Sequence, residues 1–254
     1  ASKTSGVRRI TVRGNLLDVP SVRLSPGQSL HGEDEGAEIH FVAGIDGLQL
    51  TSDNAVRNVH VEVTPDRRAI FNDTGVDTLG HVTLGGVTTV GQVQILARDK
   101  VRSGHVEVDG LDIVAAYARG RSERPQGYGV YVIQGAFTLW NMQAEENVVI
   151  SAELAGISAG RIGAPVLGSG IFVSGGGDTG GRLLVSRLET GAVYSDGKIP
   201  KGTADQITGG VFTVYGSRVD VVRNRGPVIT YGVNDMVLDN WGFVDRWTAE
   251  DKIA

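Results

Sequence analysis

The chain has 254 residues, with 37 glycines, 7 prolines, no cysteine, and 24 basic against 29 acidic side chains for a net charge of −5. Glycine at about twice its usual share, without a G-x-y period, excludes collagen, and a hydrophobic content of 41% argues against disorder. The composition also excludes disulfides and thiolate metal sites, argues against nucleic-acid binding, and holds no apolar run near the roughly 18 residues of a membrane span.

All-β units of roughly 250 residues commonly form one domain, so residues 1–254 are read as one. Short strands are predicted at residues 7–12, 38–42, 59–63, 81–84, 92–96, 105–108 and 111–114. Val59-His60-Val61-Glu62-Val63 and His105-Val106-Glu107-Val108 alternate apolar with polar residues, the mark of a strand with one buried face. Glycine and β-branched residues disfavour helices, and short helical turns are expected only at 203–207 and 248–253. Residues 117–126, 174–181 and 194–206 are too long and polar for corners and read as projecting loops.

Farther along, a motif recurs. Gly129-Val130-Tyr131-Val132 returns as Gly170-Ile171-Phe172-Val173 and as Gly210-Val211-Phe212-Thr213. Each copy leads to a second strand (136–142, 182–188 and 218–222), then through a polar corner to a third near Val148, Ala192 and Val228. Gly47-Leu48-Gln49-Leu50 is a weaker, earlier copy, followed by strands at 59–63 and 69–71. A fixed period of this size indicates stacked units that bury a shared core. The fold class is therefore all-β, a solenoid of stacked strands. Asp-Gly pairs at Asp46, Asp109 and Asp196 keep a β-sandwich or propeller open as the second reading.

With its short Val/Ile strands, its Asn/Asp/Gly corners and segments such as Gly47-Leu48-Gln49-Leu50 and Asn58-Val59-His60-Val61, the chain resembles the pectate-lyase-like superfamily of single-stranded right-handed parallel β-helices. The resemblance runs from about Val7 to Trp247 and includes no catalytic signature. It implies a lateral groove in which carboxylates and an Arg or Lys act as acids, bases or calcium ligands. It also implies a cap on the last coil. The end near 248–254 looks abrupt, so that cap is expected farther along the protein or from a partner. The chain starts at Ala1 without Met, which is compatible with a removed leader.

Several groups can carry chemistry. Asp109 and Asp112 are the candidate catalytic carboxylates, with Arg119 and Arg121 as basic partners; glycoside chemistry asks for two carboxylates in contrasting environments. Arg124, Tyr128 and Tyr131 can bind substrate, because arginine forks pair with carboxylates and tyrosine rings stack on sugar faces. Tyr194 and Lys198 belong to a second mixed-charge loop, stacked beside the first by the forty-residue offset. Asp235, Asp239, Asp245 and Trp241 gather near the C-terminus in a structural role, with Trp241 as core or sugar platform. The glycine run 175–181 lacks the Gly-Lys-Ser/Thr of a phosphate loop. The five histidines show no zinc spacing, and no nucleophile elbow occurs. No cofactor is expected, with calcium as the weaker alternative.

The expected function is therefore binding of, or action on, a polysaccharide or other glycan in a lateral groove, as a lyase, hydrolase or epimerase if catalytic. The alternative is a non-catalytic, adhesin-like surface or assembly module. Expected partners are a glycan and a second copy of the chain, without nucleic acid or a membrane span. An extracellular or periplasmic location is preferred, although the lack of cysteine suits the cytoplasm equally.

Overall fold

The computed structural model describes residues 8–254; Val7, in the first predicted strand, lies outside them. The described chain is all-β, with a 14-stranded and a 10-stranded sheet. Its one helical element among the described residues is the short 3-10 turn Ala118–Gly120.

Parallel pairing dominates both sheets. In the 10-stranded sheet one ladder links Val22, Leu48, Ile70, Val93, Phe137, Ile171, Val211 and Leu238, each beside the next. The six inner members are fully buried. The 14-stranded sheet carries two such ladders. One runs Ile10, Leu30, Val56, Leu84, Val108, Leu154, Leu188, Val222 and Trp247. The other runs Leu16, Ile39, Val61, Thr89, Ile113, Ala159, Val193 and Val228. Strand side chains alternate between faces, so most of these positions share one apolar core, with Leu16 on the first coil exposed.

Glycine makes the bend between the two ladders. Predicted strands 105–108 and 111–114 are one continuous strand, Ser103–Ala115. Its Gly110 (φ +80) lies against Gly86 (φ +59) of Thr78–Val90 and is covered by Gly156 (φ +66) of Val149–Ala159. A left-handed φ is readily available only to glycine. The Asp109-Gly110 pair therefore bends a strand and makes no hairpin.

Buried asparagines satisfy the corners. The Asn141 amide donates to the carbonyls of Val148 (3.0 Å) and Arg182 (2.9 Å), and its oxygen accepts from the Gln143 backbone (3.2 Å). Asn54 and Asn72 hold earlier corners in the same way. Removing such a side chain strands buried backbone groups. Asn141→Ala is expected to lower the unfolding free energy by about 2–3 kcal/mol, measured by denaturant titration; a change within about 0.5 kcal/mol would show that the corner does not depend on it.

Three expectations need correction. Residues 248–253 are not helical: Phe243–Ala249 is a strand on Ser217–Asn224, and Ile253 bridges to Val228. Residues 203–207 are irregular up to Gln206, where Gln206–Thr213 begins. In both segments strand pairing outweighs local propensity. Third, the repeated motif is equivalent in the Gly47, Gly170 and Gly210 copies, whose Leu48, Ile171 and Val211 lie on one ladder, but not in the Gly129 copy. Phe172 pairs with Phe212, but the rung before Phe172 is Thr138, not Tyr131. Tyr131 pairs instead with Gln206 and is 40% exposed. The Gly-Val-Tyr-Val copy belongs to an inserted segment that imitates the motif locally.

Candidate functional site

Strands Gly135–Asn141, Ser169–Ser174 and Gln206–Thr213 of the 10-stranded sheet turn Ile171 and Val211 into the core and Phe172 and Phe212 away from it. A sheet face carrying large aromatic groups needs a second cover. Residues 116–132 supply it as a strap, whose Val132, with Val130, packs on Leu96, Trp140, Phe172, Ile207 and Phe212.

The strap ends in the one antiparallel strand pair among the described residues, Gln126–Gly127 with Val130–Val132. The two-residue turn has φ +49 at Tyr128 and +84 at Gly129, the signs of a type I′ hairpin. Gly127 lies flat on the Tyr215 ring, where a Cβ would overlap it. Tyr128 is thereby displayed at the tip, 80% exposed.

Around that tip the rings form a cluster. Trp241 lies 5.2 Å from Tyr128, 5.1 Å from Phe212 and 5.4 Å from Tyr215, the first two edge-to-face. Burial, with a hydrogen bond to Tyr128, holds the Tyr215 hydroxyl above the ordinary tyrosine range. Burial likewise raises the Asp239 carboxyl, against hydrogen bonds from the Asn240 backbone and the Trp241 side chain. Beside the cluster opens a cavity of about 250 Å³ between Pro125 and Gln126 of the strap, Trp140, Met142, Tyr215 and Gly175–Gly177. The arrangement offers planar apolar faces and a few polar groups, as small-molecule sites do.

The three loops read from the sequence meet on this sheet. Residues 126 and 175–177 line the same cavity, and the Asp205 carbonyl of the second loop accepts from the Tyr131 amide (2.8 Å). That loop starts later than expected: Tyr194 is buried inside Arg182–Asp196, a strand held between two parallel partners, and is not a loop residue. Lys198 pairs with Asp196 (2.8 Å).

The candidate catalytic residues are spread apart. Asp109 is exposed on the 14-stranded sheet between Gly85 and Ala155. Asp112 lies past the Gly110 bend in a two-pronged ion pair with Arg161 (2.9 and 2.6 Å). Arg124 donates to the Arg121 and Arg119 carbonyls (3.2 and 2.8 Å) and so braces the strap itself. Arg121 reaches the 10-stranded sheet below the strap, donating to the Gln92 side chain (2.7 Å) and, beside it, to the Asp66 carbonyl (3.1 Å). Asp235 ties loops together, accepting from Gly197 (2.9 Å), Gly232 (2.8 Å) and the Thr208 hydroxyl.

Trp140, Met142 and Tyr215 went unread in the sequence. The available signal was Phe, Trp or Tyr at positions opposite the core-facing residues, where a solvated face would carry polar side chains.

The strap's neighbourhood also has an acid-sensitive anchor. Burial pushes the Asp46 carboxyl up, but hydrogen bonds from the Arg68 guanidinium and amide, with that guanidinium's charge, outweigh it and leave it below the ordinary range. A folded value below the unfolded one gives stability that is complete above about pH 4 and lost as pH falls through the folded value. Asp46→Asn is expected to flatten the stability loss below about pH 4, followed by denaturant titration at stepped pH. An unchanged slope would remove the assignment.

No family model matches the chain, and neither a curated protein nor a solved structure matches it. Among the described residues, no helix is long and apolar enough to cross a membrane, and no group of three or more acidic or histidine side chains is placed to hold a metal ion.

Proposed function

We propose that the chain is a single-stranded right-handed parallel β-helix that binds a glycan across the aromatic face of its 10-stranded sheet. The three parallel ladders support the helix: each coil contributes one rung to each in turn, at offsets of 20 residues (Ile10 to Leu30) to 46 (Val108 to Leu154). The observation that carries the function is the exposed Tyr128 ring held beside Trp241 and Tyr215, the last of which also lines the cavity. Such rings stack on the apolar faces of sugars, and the Gln126 side chain and the Gly175–Gly177 backbone supply polar partners.

The reading is of binding, not turnover. Asp112 is committed to Arg161, Asp109 sits on the other sheet, and Arg124 is committed to strap carbonyls. This joins the two functional expectations in a non-catalytic glycan-binding module.

Tryptophan fluorescence titrated with neutral (cello-, xylo-) and acidic (galacturonate) oligosaccharides tests it. A saturable change with at least one of them, and no cleavage, is expected. No saturable change across the panel would overturn it.

A further inference from the structure

A second cavity, of about 270 Å³, opens on the same sheet on the other side of the strap, lined by Arg68, Gln94, Leu96, Arg98 and strap residues 120–123. Its lining holds three arginines, Arg68, Arg98 and Arg121, against one acid, Glu123. Two of the arginines have carboxylate partners: Arg68 pairs with Asp46 (2.5 Å), and Arg98 with Glu123 (2.8 Å). Arg121 differs. Among the described residues no carboxylate lies within ion-pair distance of it, although it is half-buried.

The Arg121 guanidinium is nevertheless held in place. Nε donates to Oε1 of Gln92, which is fully buried, and Nη2 donates to the Asp66 carbonyl. Gln92 donates in turn to the Gly135 carbonyl (2.9 Å), and Gln94 to Gln134 (2.7 Å). Gln134 donates to the Glu123 carbonyl (2.8 Å), tying the strap to the same network. A guanidinium has five N–H donors, so both hydrogens of Nη1 and one of Nη2 are left over. Burial, followed by the charge of Arg68, lowers the hold of Arg121 on its own proton, against the opposing charges of Asp46 and Asp66 beyond ion-pair distance. A positioned, half-buried cation with no directly paired carboxylate is costly unless an anion completes it.

We propose that this cavity is an oxyanion site, in which Arg121, flanked by Arg68 and Arg98, takes a carboxylate, sulfate or phosphoryl group. Planar guanidinium forks match such groups two bonds at a time. The site is separate from the aromatic face and stands whether or not that face binds a glycan.

The test is arginine side-chain NMR of the full chain, titrated with sodium sulfate, sodium phosphate and sodium galacturonate at constant ionic strength, with galactose as the uncharged control. A saturable shift of the Arg121 Nε–Hε signal with at least one anion, and none with galactose, is expected. The anion that saturates at the lowest concentration distinguishes an inorganic ion from a sugar acid. Arg121→Gln should weaken that binding about tenfold or more and Arg121→Lys less, while Arg161→Gln, on the other sheet, leaves it unchanged. Linear, unsaturable shifts with all three anions would overturn the proposal. So would equal affinity in the Arg121→Gln protein, shown folded by its amide spectrum.

Discussion

Phe137→Ala is expected to lower the unfolding free energy by about 3–5 kcal/mol, whereas Tyr131→Ala changes it by less than about 1 kcal/mol. Phe137 is fully buried on the central ladder between Val93 and Ile171, so truncation leaves a cavity bounded by rungs above and below. Those rungs are held by backbone ladders on both sides and cannot collapse to fill it. Tyr131 is the third residue of a copy of the recurring four-residue motif, yet it stands on the inserted hairpin and is 40% exposed. Guanidinium titration of both variants, followed by circular dichroism, separates the two positions. Equal losses would place Tyr131 in the stack and undo the assignment of rungs.

Trp241→Ala is the second large effect. Whichever oligosaccharide saturates the wild-type chain should bind about thirtyfold more weakly or worse, which is about 2 kcal/mol. Trp241 touches Tyr128, Tyr215 and Phe212, so its loss removes one platform and the support of two others. Tyr128→Ala should weaken binding about five- to tenfold, roughly 1 kcal/mol, without a change in stability, because the ring is exposed at a hairpin tip. Trp247→Phe, on the last rung of the 14-stranded sheet, should bind as the wild type does. Unaltered affinity in both Trp241→Ala and Tyr128→Ala would remove the aromatic face as the binding surface.

Much of the all-β character was legible in the sequence because strand alternation is a local property. Val59 to Val63 and His105 to Val108 show it without reference to anything distant, and Val61 and Val106 are buried where their histidine neighbours are not. The pairing of Phe172 with Phe212 was legible for the same reason, since two adjacent rungs keep one pattern. What failed was non-local. Whether Gly-Val-Tyr-Val forms a rung or an insert depends on whether the chain has already left the sheet, and residues 116–132 leave it to cover a face that the sequence could not show as covered. The Tyr128-Gly129 turn was readable only once its φ values were known, because tyrosine is uncommon at left-handed positions.

The candidate site was half legible. The strap, its arginines and Tyr128 were singled out from the sequence, for aromatic faces and guanidinium forks. Their division of labour was not readable: Arg124 braces the strap, Arg121 enters a glutamine network, and Tyr128 joins rings from two later turns. Those partners lie 29 residues before Arg121 and more than 80 after Tyr128, beyond the reach of spacing arguments. Asp109 and Asp112 looked paired because they are three apart, but the Gly110 bend turns them onto different ladders.

The parallel stack itself is tested most directly by cross-strand proton NOEs in uniformly labelled protein. The account predicts contacts from Phe137 to both Val93 and Ile171, and from Ile171 to Val211, without the close Hα–Hα pairs of antiparallel neighbours. Strong Hα–Hα contacts among these strands, or Tyr131 in place of Thr138 beside Phe172, would contradict it.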